Sequence, residues 1–325
     1  MRAKIISTGS YLPEKVLTNH DLERMVETSD EWIMERSGIR QRCIAPAKQA
    51  CSDLAYEAAK AALKNAGLKG KELDLILVAT CTPDYPLPAT ACVLQDRLGA
   101  KNAAAFDLNA ACSGFLYALS VANAYIQAGV YKRILIIGAE VLSKVTDWED
   151  RTTCVLFGDG AGAAIVEPTT EDRGILSIDL YADGSMGDLL KIHAGGSRMP
   201  ASKETVAKKL HFIKMKGNET FKYAVKTLER LVLETLEKNN LKASELTLLI
   251  PHQANLRIIK ATAERLGLPM SKVLVNIDRI GNTSAASIPI ALDEAVSTGR
   301  LRPGDYVLLE AFGGGLTWAS ALIRW

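Results

Sequence analysis

Residues 68–80, LKGKELDLILVAT, return 173 positions later as residues 241–252, LKASELTLLIPH. Each copy follows a segment with helical periodicity, residues 52–66 or 219–238, and continues into an apolar run without polar alternation. Such runs are typical of strands in sheets that are covered on both faces. Shorter motifs further along recur in the same order. The sequence therefore predicts a duplicated α/β unit in a layered fold.

The bulk composition limits the classes of protein to which the chain can belong. Its 325 residues are enough for a large core, and 48% hydrophobic with 23% charged residues is the balance of an ordered globular protein. The formal net charge of +2 provides no general basic field, which argues against nucleic acid as a partner. The six cysteines include no C-x-x-C pair, which argues against a zinc or redox motif.

The start of the chain, MRAKIISTGSYLP, lacks the apolar core of a signal peptide. The sequence also contains no run of about 18 apolar residues, the length that a membrane-spanning helix needs. We therefore expect no membrane association and interpret the cysteines as reduced thiols. These features predict a cytoplasmic location.

The repeat divides the chain into an N-terminal half, residues 1–170, and a C-terminal half, residues 171–325. In open α/β sheets, ligands collect beyond the carboxyl ends of the strands, where loops enter helices. Three segments have that position in the sequence: AACSGF at 110–115, PHQANL at 251–256 and GNTSAAS at 281–287. We expect these segments to carry the chemistry.

Each of the three segments contains one residue suited to catalysis. Cys112 precedes a helical segment, where the positive end of the helix dipole favours the thiolate and can lower a cysteine pKa from ~8.5. His252 follows an apolar block, and Asn282 follows the apolar run 273–277. Taken singly, they also read as a core cysteine, a structural histidine and a turn or cap asparagine, and the set of three is more informative than any member. In the alignment of the two halves, Cys112 falls close to Asn282-Thr283.

Four segments together resemble the β-ketoacyl-[acyl-carrier-protein] synthase III family of the thiolase-like superfamily: AACSGF, PHQANLRI, GNTSAAS and EAFGGGLTWASALIRW. The resemblance begins at Gly9, reaches the C-terminus, and includes TSDEWIMERSGIRQR and FGDGAGAAIV. It implies the family's duplicated, five-layered α/β/α/β/α fold and a homodimer. The implied reaction is the decarboxylating condensation that initiates fatty-acid synthesis. Its substrates would be an acyl-CoA and a malonyl-acyl-carrier protein, without a metal or redox cofactor.

The resemblance implies a role for each of the three residues. Cys112 would be the nucleophile that takes the acyl group from coenzyme A. His252 and Asn282 would bind the thioester carbonyl of the malonyl group during decarboxylation, where one preorganised donor is typically worth ~2.7–4 kcal/mol of transition-state energy. The backbone N–H groups of Cys112 and Gly314 would form the oxyanion hole, since glycine allows a close approach of the backbone.

Residues for substrate binding also follow from the resemblance. Thr28, Trp32 and Arg36 lie four positions apart, so one face of a helix could carry all three. Trp32 and Arg151 would enclose the adenine by stacking and cation–π contact, although on their own they read as a core residue and a solvated charge. The residues expected to contact coenzyme A are Thr28, Trp32, Arg36, Arg151, Phe221, Ala254 and Asn255. The acyl pocket would be bordered by Phe312 and by Leu87, the latter from a loop that closes the pocket across the dimer interface.

A local basic patch is expected to receive the acidic carrier protein. On a helical wheel, residues 256–266 have one apolar side and one side with Arg257, Lys260 and Arg265. Without the resemblance, this side reads as a solvated helix face, which Glu264 makes less basic. The expected carrier contacts are Lys222, Arg257, Lys260 and Arg265.

Several related activities fit parts of the pattern. The branch that uses cysteine with two histidines is disfavoured because GNTSAAS supplies asparagine, and plant-type polyketide synthases differ in their flanking motifs. Hydroxymethylglutaryl-CoA synthases use an acid near the loop after the LILVAT strand, where residues 81–84 contain no glutamate. FGDGAGAA lacks the pattern of a phosphate-binding loop and predicts close backbone packing. A condensing enzyme of secondary metabolism and a catalytically silent acyl-CoA- or carrier-binding protein are the alternative hypotheses.

Overall fold

The structure is a computed structural model that describes residues 2–325. Its strands are β1 (Arg2–Tyr11), β2 (Val16–Thr18), β3 (Gln41–Cys43), β4 (Leu75–Ala79), β5 (Ala104–Leu108), β6 (Ile134–Val141), β7 (Asp159–Thr169), β8 (Gly174–Ala182), β9 (Leu190–Ile192), β10 (Ile213–Met215), β11 (Leu248–Pro251), β12 (Tyr306–Gly313) and β13 (Thr317–Arg324). Its helices are α1 (Asn19–Glu23), α2 (Asp30–Ser37), α3 (Cys51–Ala66), α4 (Thr90–Arg97), α5 (Gly114–Gln127), α6 (Arg151–Cys154), α7 (Lys203–Ala207), α8 (Gly217–Lys238), α9 (Leu256–Arg265), α10 (Ile277–Ile280) and α11 (Ser287–Ser297).

Two sheets with the same internal order form the centre of the molecule. The first has the order β1-β7-β6-β4-β5, and the second has the order β8-β13-β12-β11. The pairs β4–β6 and β11–β12 are parallel, whereas β6–β7 and β12–β13 are antiparallel. The place of β5 is taken in the second sheet by a single parallel bridge between Leu249 and Val273. The apolar run 273–277 thus contributes one bridge and then enters α10, and the duplicated α/β fold is confirmed.

The helices and sheets alternate in five layers. Helices α3 and α4 cover one face of the first sheet, α8 and α9 cover one face of the second, and α5 and α11 lie between the two sheets. Along β4, Leu75 and Leu77 face the central layer, whereas Ile76 and Val78 face α3. Both faces of the strand are dry, which is why the sequence shows continuous apolar runs. This arrangement confirms the five-layered fold.

The glycine-rich segment FGDGAGAAIV leads into β7 and packs directly against α11. A Cβ at Gly162 would lie 2.6 Å from the backbone nitrogen of Ile290. Real Cβ atoms do not come so close to a backbone nitrogen, so only glycine allows β7 and α11 to meet here. The prediction of close backbone packing is confirmed.

Candidate active site

Cys112 lies on a 3-10 turn, Ala111–Ser113, which runs directly into α5. The turn is tied to β13, since Thr317 Oγ1 donates to the carbonyl of Ala110 at 2.8 Å and Ser113 Oγ donates to the carbonyl of Thr317 at 3.1 Å. Only 8% of Cys112 is exposed. The thiol is therefore held rigidly between the two sheets, at the carboxyl end of β5.

The C-terminal half repeats this turn as Ser284–Ala286, immediately before α11. The residue that begins each turn has a positive φ, 46° at Ala111 and 48° at Ser284. These two residues are 173 positions apart, the spacing of the sequence repeat. Cys112 consequently corresponds to Ala285, which corrects its alignment with Asn282-Thr283.

Asn282 lies two residues before the second turn and supports its start, as Asn109 does for the first. Its Oδ1 accepts the backbone N–H of Ser284 at 2.8 Å, and Asn109 Oδ1 accepts the backbone N–H of Ala111 at 3.0 Å. The Asn282 backbone is also paired with the segment before β7, through its N–H to the carbonyl of Leu156 at 2.9 Å. The Oδ1 atom of Asn282 is thus used within the turn. The amide nitrogen Nδ2 is the atom of this side chain that can donate a hydrogen bond to a ligand.

His252 directly follows β11, and its backbone N–H donates to the carbonyl of Glu310 at 2.8 Å. Its Nδ1 lies 2.5 Å from Ser287 Oγ. Its Nε2 is buried and has no hydrogen-bond partner within residues 2–325. One side of the imidazole is thus anchored, and the other is available to a ligand.

The three residues meet at one cavity. Cys112, His252 and Asn282 all line a cavity of about 110 Å³. Phe312, Phe221, Ala254 and Asn255 line it as well. The fold therefore brings together residues that lie up to 200 positions apart in the chain.

The resting thiol and imidazole are both uncharged at neutral pH. Burial raises the pKa of Cys112 to about 11, although the Ser284 hydroxyl and the backbone N–H groups of Cys112 and Gly314 oppose that rise. Burial lowers the pKa of His252 to about 3. The expectation that the helix start lowers the pKa of Cys112 is wrong for the resting site, because burial removes the hydration that stabilises a thiolate.

The close approach to Cys112 is made by Gly313 and not by Gly314. A Cβ at Gly313 would lie 2.7 Å from the backbone nitrogen of Cys112, whereas at Gly314 the nearest atom would be the carbonyl oxygen of Leu190 at 3.4 Å. The steric reason for glycine therefore applies one residue earlier than expected. The backbone N–H of Gly314 nevertheless opposes the rise in the Cys112 pKa.

A second cavity, of about 620 Å³, reaches Cys112 from another direction. Its walls include Cys81, Leu142, Phe157, Leu190 and Ile213. No sequence motif predicts these residues as part of the site, because they come from separate loops and strand ends. Leu87 lines neither cavity of its own chain and is 86% exposed. Its predicted role in the acyl pocket consequently requires a second copy of the chain.

A buried carboxylate supports the loop after β4. Glu140, at the end of β6, accepts from Thr82 Oγ1 at 2.5 Å, from the Cys81 N–H at 3.2 Å and from Cys81 Sγ at 3.3 Å. The loop itself contains no glutamate, as the sequence shows, but the neighbouring strand supplies one. Glu140 lines neither cavity, and burial raises its pKa. Its contacts therefore support the loop after β4.

A cleft of about 650 Å³ leads from the first cavity to the surface and shares Leu156, Met215, Phe221 and Asn255 with it. Of the residues expected to contact coenzyme A, Trp32, Arg36, Phe221 and Asn255 line this cleft. Asn255 also connects two helices, because its Nδ2 donates to the carbonyl of Arg36 at 2.8 Å and its Oδ1 caps α9 by accepting the N–H of Arg257 at 2.9 Å.

Trp32 is flanked by two guanidinium groups. Arg151 lies 5.3 Å and Arg36 lies 5.7 Å from the centre of its ring. Thr28 is not on the same helical face, because α2 begins only at Asp30, which corrects the prediction from spacing. Its hydroxyl is nevertheless buried and has no partner within residues 2–325.

Helix α9 has the two faces that the helical wheel predicts. Ile259, Thr262 and Ala263 are buried, and the basic side chains of Arg257, Lys260 and Arg265 are exposed, as is Lys222 on α8. The guanidinium of Arg257 lies 4.8 Å from the centre of the Phe221 ring and lines the cleft. Arg257 thus borders the cleft as well as the outer surface.

No helix within residues 2–325 is both long enough and apolar enough to cross a membrane. No group of three or more His, Cys, Asp or Glu side chains in the same residues is arranged to hold a metal ion.

Comparison with known proteins gives one consistent family. The profile described as 3-oxoacyl-[acyl-carrier-protein (ACP)] synthase III matches residues 106–184, and the profile for the C-terminal part of the same enzymes matches residues 236–325. The chain is 57% identical to the β-ketoacyl-[acyl-carrier-protein] synthase III of Caldanaerobacter subterraneus subsp. tengcongensis, over 99% of this chain and 98% of the relative. It is also 57% identical to the synthase III of Xylella fastidiosa, with the same coverage.

Solved structures agree with this result. The crystal structure of 3-oxoacyl-[acyl-carrier-protein] synthase III from Aquifex aeolicus VF5 superposes with a TM-score of 0.92 at 51% identity, covering 99% of this chain and 100% of that one. The duplicated sheets and their shared central site define a condensing enzyme of the thiolase-like fold. The chain belongs to the β-ketoacyl-[acyl-carrier-protein] synthase III family. It is a decarboxylating, condensing acyltransferase that acts at the start of fatty-acid synthesis.

Proposed function

We propose that the chain condenses an acyl group from acyl-CoA with malonyl-acyl-carrier protein, using Cys112, His252 and Asn282. The observation that carries this proposal is the single cavity that the buried thiol, the unpartnered His252 Nε2 and Asn282 all line. The product is a 3-oxoacyl-carrier protein, and carbon dioxide and free coenzyme A are released.

In the first half-reaction, Cys112 Sγ attacks the thioester carbonyl of acyl-CoA. The new carbon–sulfur bond forms as the bond to the coenzyme A sulfur breaks, and the proton that Cys112 loses is gained by that sulfur. The backbone N–H groups of Cys112 and Gly314, which face the thiol, support their assignment as the oxyanion hole. The uncharged resting thiol means that the proton has to leave during this step.

In the second half-reaction, malonyl-carrier loses carbon dioxide and the electron pair of the broken bond passes to the thioester oxygen as an enolate. His252 Nε2 and Asn282 Nδ2 are the two donors assigned to that oxygen. The neutral imidazole supports this role, because a buried donor that need not titrate stabilises the developing charge without reorganisation. The enolate carbon then attacks acyl-Cys112, the bond between the acyl carbon and Sγ breaks, and the Cys112 thiolate takes up a proton from water to restore the resting thiol.

The cleft supports a common route for both substrates. The cleft passes Phe221 and Asn255 and joins the first cavity, which Cys112 lines. The residues that we assign to coenzyme A are Thr28, Trp32, Arg36, Arg151, Phe221, Ala254 and Asn255. Arg151 and Trp32 now lie 5.3 Å apart, so an adenine between them requires Arg151 to move outward. Lys222, Arg257, Lys260 and Arg265 are assigned to the acidic carrier protein.

The remaining proposals concern the two halves of the chain, its oligomeric state, its location and its cofactors. Residues 1–170 and 171–325 are proposed as the two halves, which is supported by the change of sheet between Thr169 and Gly174. A homodimer is proposed because Leu87, which is expected to border the acyl pocket, is exposed and lines neither the first nor the second cavity of its own chain. Phe312, the other residue expected at that pocket, does line the first cavity. We also propose a cytoplasmic location. The reaction is proposed to need no metal or redox cofactor, because the loss of carbon dioxide supplies the electron pair of the new carbon–carbon bond and no external oxidant or reductant takes part.

The test separates the two half-reactions. Mass spectrometry of the protein after incubation with acyl-CoA measures acylation of Cys112, and carbon dioxide release from malonyl-carrier measures decarboxylation. His252→Ala and Asn282→Ala should each slow decarboxylation by about 10²–10³-fold and affect acylation far less. Equal losses in both half-reactions, or an acyl group found on Cys81 or Cys154, would contradict the roles proposed.

The same assays address the alternatives. A silent binding protein would release no carbon dioxide from malonyl-carrier. A condensing enzyme of secondary metabolism would prefer another primer or acceptor in a panel of acyl-CoA substrates with mass-spectrometric detection of products. The family membership and the intact Cys-His-Asn set support fatty-acid initiation over both.

A further inference from the structure

His252 is held by a second buried side chain whose role is still unassigned. Ser287, the first residue of α11, has no exposed surface. Its Oγ lies 2.5 Å from His252 Nδ1 and accepts the backbone N–H of Gln253 at 3.4 Å. Within residues 2–325, no other group forms a hydrogen bond with this hydroxyl.

The direction of the hydrogen bond between Ser287 and His252 follows from the groups available. A serine hydroxyl has one proton to donate and two lone pairs that accept, and the Gln253 N–H occupies one lone pair. If Nδ1 carried the imidazole proton, Ser287 would accept twice and its own proton would be buried without an acceptor. Burying an unpaired donor is unfavourable. The hydroxyl therefore donates to Nδ1.

The backbone of Gln253 is itself fixed, so that its N–H cannot turn away from Ser287. The side chain of Gln253 donates through Nε2 to the carbonyls of Pro251 at 2.8 Å and Leu274 at 3.1 Å. Its Oε1 accepts the backbone N–H groups of Asn276 at 3.0 Å and Ile277 at 3.1 Å. The fully used amide locks the loop between β11 and α9.

We propose that Ser287 is a positioning residue that fixes the tautomer of His252, with the imidazole proton on Nε2. Nε2 is the buried atom without a partner, and its proton is the one that an enolate oxygen can accept. The opposite tautomer would turn a lone pair toward that negatively charged oxygen. This inference rests on the proposed function for its catalytic consequence, but the tautomer itself exists without substrate.

The position of Ser287 adds a second effect on the same ring. It begins an 11-residue helix whose positive end lies toward the imidazole. That end of the helix disfavours a positively charged ring and so favours the neutral form in which a tautomer choice exists. The serine then selects between the two neutral forms.

The first experiment reads the tautomer directly. Nitrogen-15 chemical shifts of histidine-labelled, substrate-free wild-type protein distinguish a protonated from an unprotonated ring nitrogen, and His252→Gln identifies the signals of His252 among the four histidines. We expect an unprotonated Nδ1 and a protonated Nε2. A protonated Nδ1 in the wild-type protein would overturn the proposal, whatever the enzyme's activity.

The second experiment measures the consequence. In Ser287→Ala, the shifts of the two nitrogens should move toward each other, and decarboxylation should fall about 10–100-fold, as when the hydrogen-bond partner of a metal-bound histidine is removed. Acylation of Cys112 should change little. The matched control is Ser320→Ala, which removes another fully buried hydroxyl, one that pairs with Thr235 at 2.7 Å in the outer layer. It should leave the shifts and both half-reactions as in the wild type.

The outcomes separate this proposal from the proposed function. If the wild-type protein shows the expected tautomer but does not decarboxylate malonyl-carrier, the proposed function fails and the tautomer assignment stands. If Ser287→Ala retains the wild-type shifts and decarboxylation rate, Ser287 does not set the tautomer. Equal loss of acylation and decarboxylation in Ser287→Ala would indicate a general structural role and would also contradict the proposal.

Discussion

Gly313 lies so close to Cys112 that an added Cβ would be 2.7 Å from the Cys112 backbone nitrogen. This contact sets the separation between the end of β12 and the turn that carries the thiol. A methyl group at this position has to push the turn away, and displacing a catalytic group by about 1 Å can cost about 10²-fold in rate. Gly313→Ala should therefore lose most of its acylation by acyl-CoA.

The neighbouring glycine provides the comparison for this prediction. Gly314→Ala keeps the backbone N–H and places its Cβ 3.4 Å from the nearest atom, so we expect a smaller loss of acylation. Acyl-enzyme formation is measured by intact-protein mass spectrometry over time, with circular dichroism to check that both variants fold. A larger loss in Gly314→Ala than in Gly313→Ala would contradict the steric argument.

The alkylation rate of Cys112 should report its raised pKa. Since the thiol has a pKa of about 11 and only the thiolate reacts, the rate with iodoacetamide should rise about tenfold per pH unit from pH 7 to pH 10. The measurement is peptide mapping of alkylated Cys112 against time, with the exposed Cys92 followed in the same digest to reveal reagent loss and the buried Cys154 to reveal unfolding. A rate that is already constant above pH 7 would mean that Cys112 and His252 rest as a thiolate–imidazolium pair.

Arg257 and Lys260 should differ in their effects on the two substrates. Both are exposed on α9, but only Arg257 stacks on Phe221 and lines the cleft. Arg257→Glu should raise KM for both acyl-CoA and malonyl-carrier, whereas Lys260→Glu should raise KM for the carrier alone. The carrier effects should weaken with added salt, because exposed charges are screened within ~8 Å at physiological ionic strength. If Lys260→Glu has no effect on carrier kinetics at low salt, α9 is not the docking surface.

Glu310 should make the protein less stable as the pH rises. This glutamate has no exposed surface, and burial raises its pKa to about 8, although the neighbouring Thr262 hydroxyl opposes that rise. In the unfolded chain the same group ionises near 4.5. Its contribution to stability is therefore fully present below that pH and is lost progressively up to about pH 8, by at most about 1.4 kcal/mol per pH unit.

Glu310→Gln removes this dependence. Denaturant unfolding at pH 5 and pH 8 should show that the variant gains stability relative to the wild type at the higher pH. Glu237→Gln, on the exposed side of α8, serves as the control and should show no such gain. If the difference between Glu310→Gln and the wild type is the same at both pH values, the carboxyl group is already ionised in the folded protein.

Some features of this protein follow from local sequence pattern alone. The repeat at 68–80 and 241–252 predicts the two sheets because apolar runs and helical periodicity are properties of neighbouring residues. The faces of α9 follow from the wheel for the same reason. The three segments with Cys112, His252 and Asn282 could be found because each joins a strand-like or apolar run to a helical segment. That the three share one cavity was expected only from the resemblance and is observed in the structure.

Other features were decided only by the tertiary structure. Cys112 was expected to have a lowered pKa from its helix start, but its hydration is removed by residues far away in the chain, and that loss dominates. Gly313 replaces Gly314 as the close contact, and Ser287 is the partner of His252, because both relationships join separate halves or loops. Periodicity determines which face of an element is buried. Which atoms then meet, and how much water they lose, depends on the packing of elements that are distant in sequence.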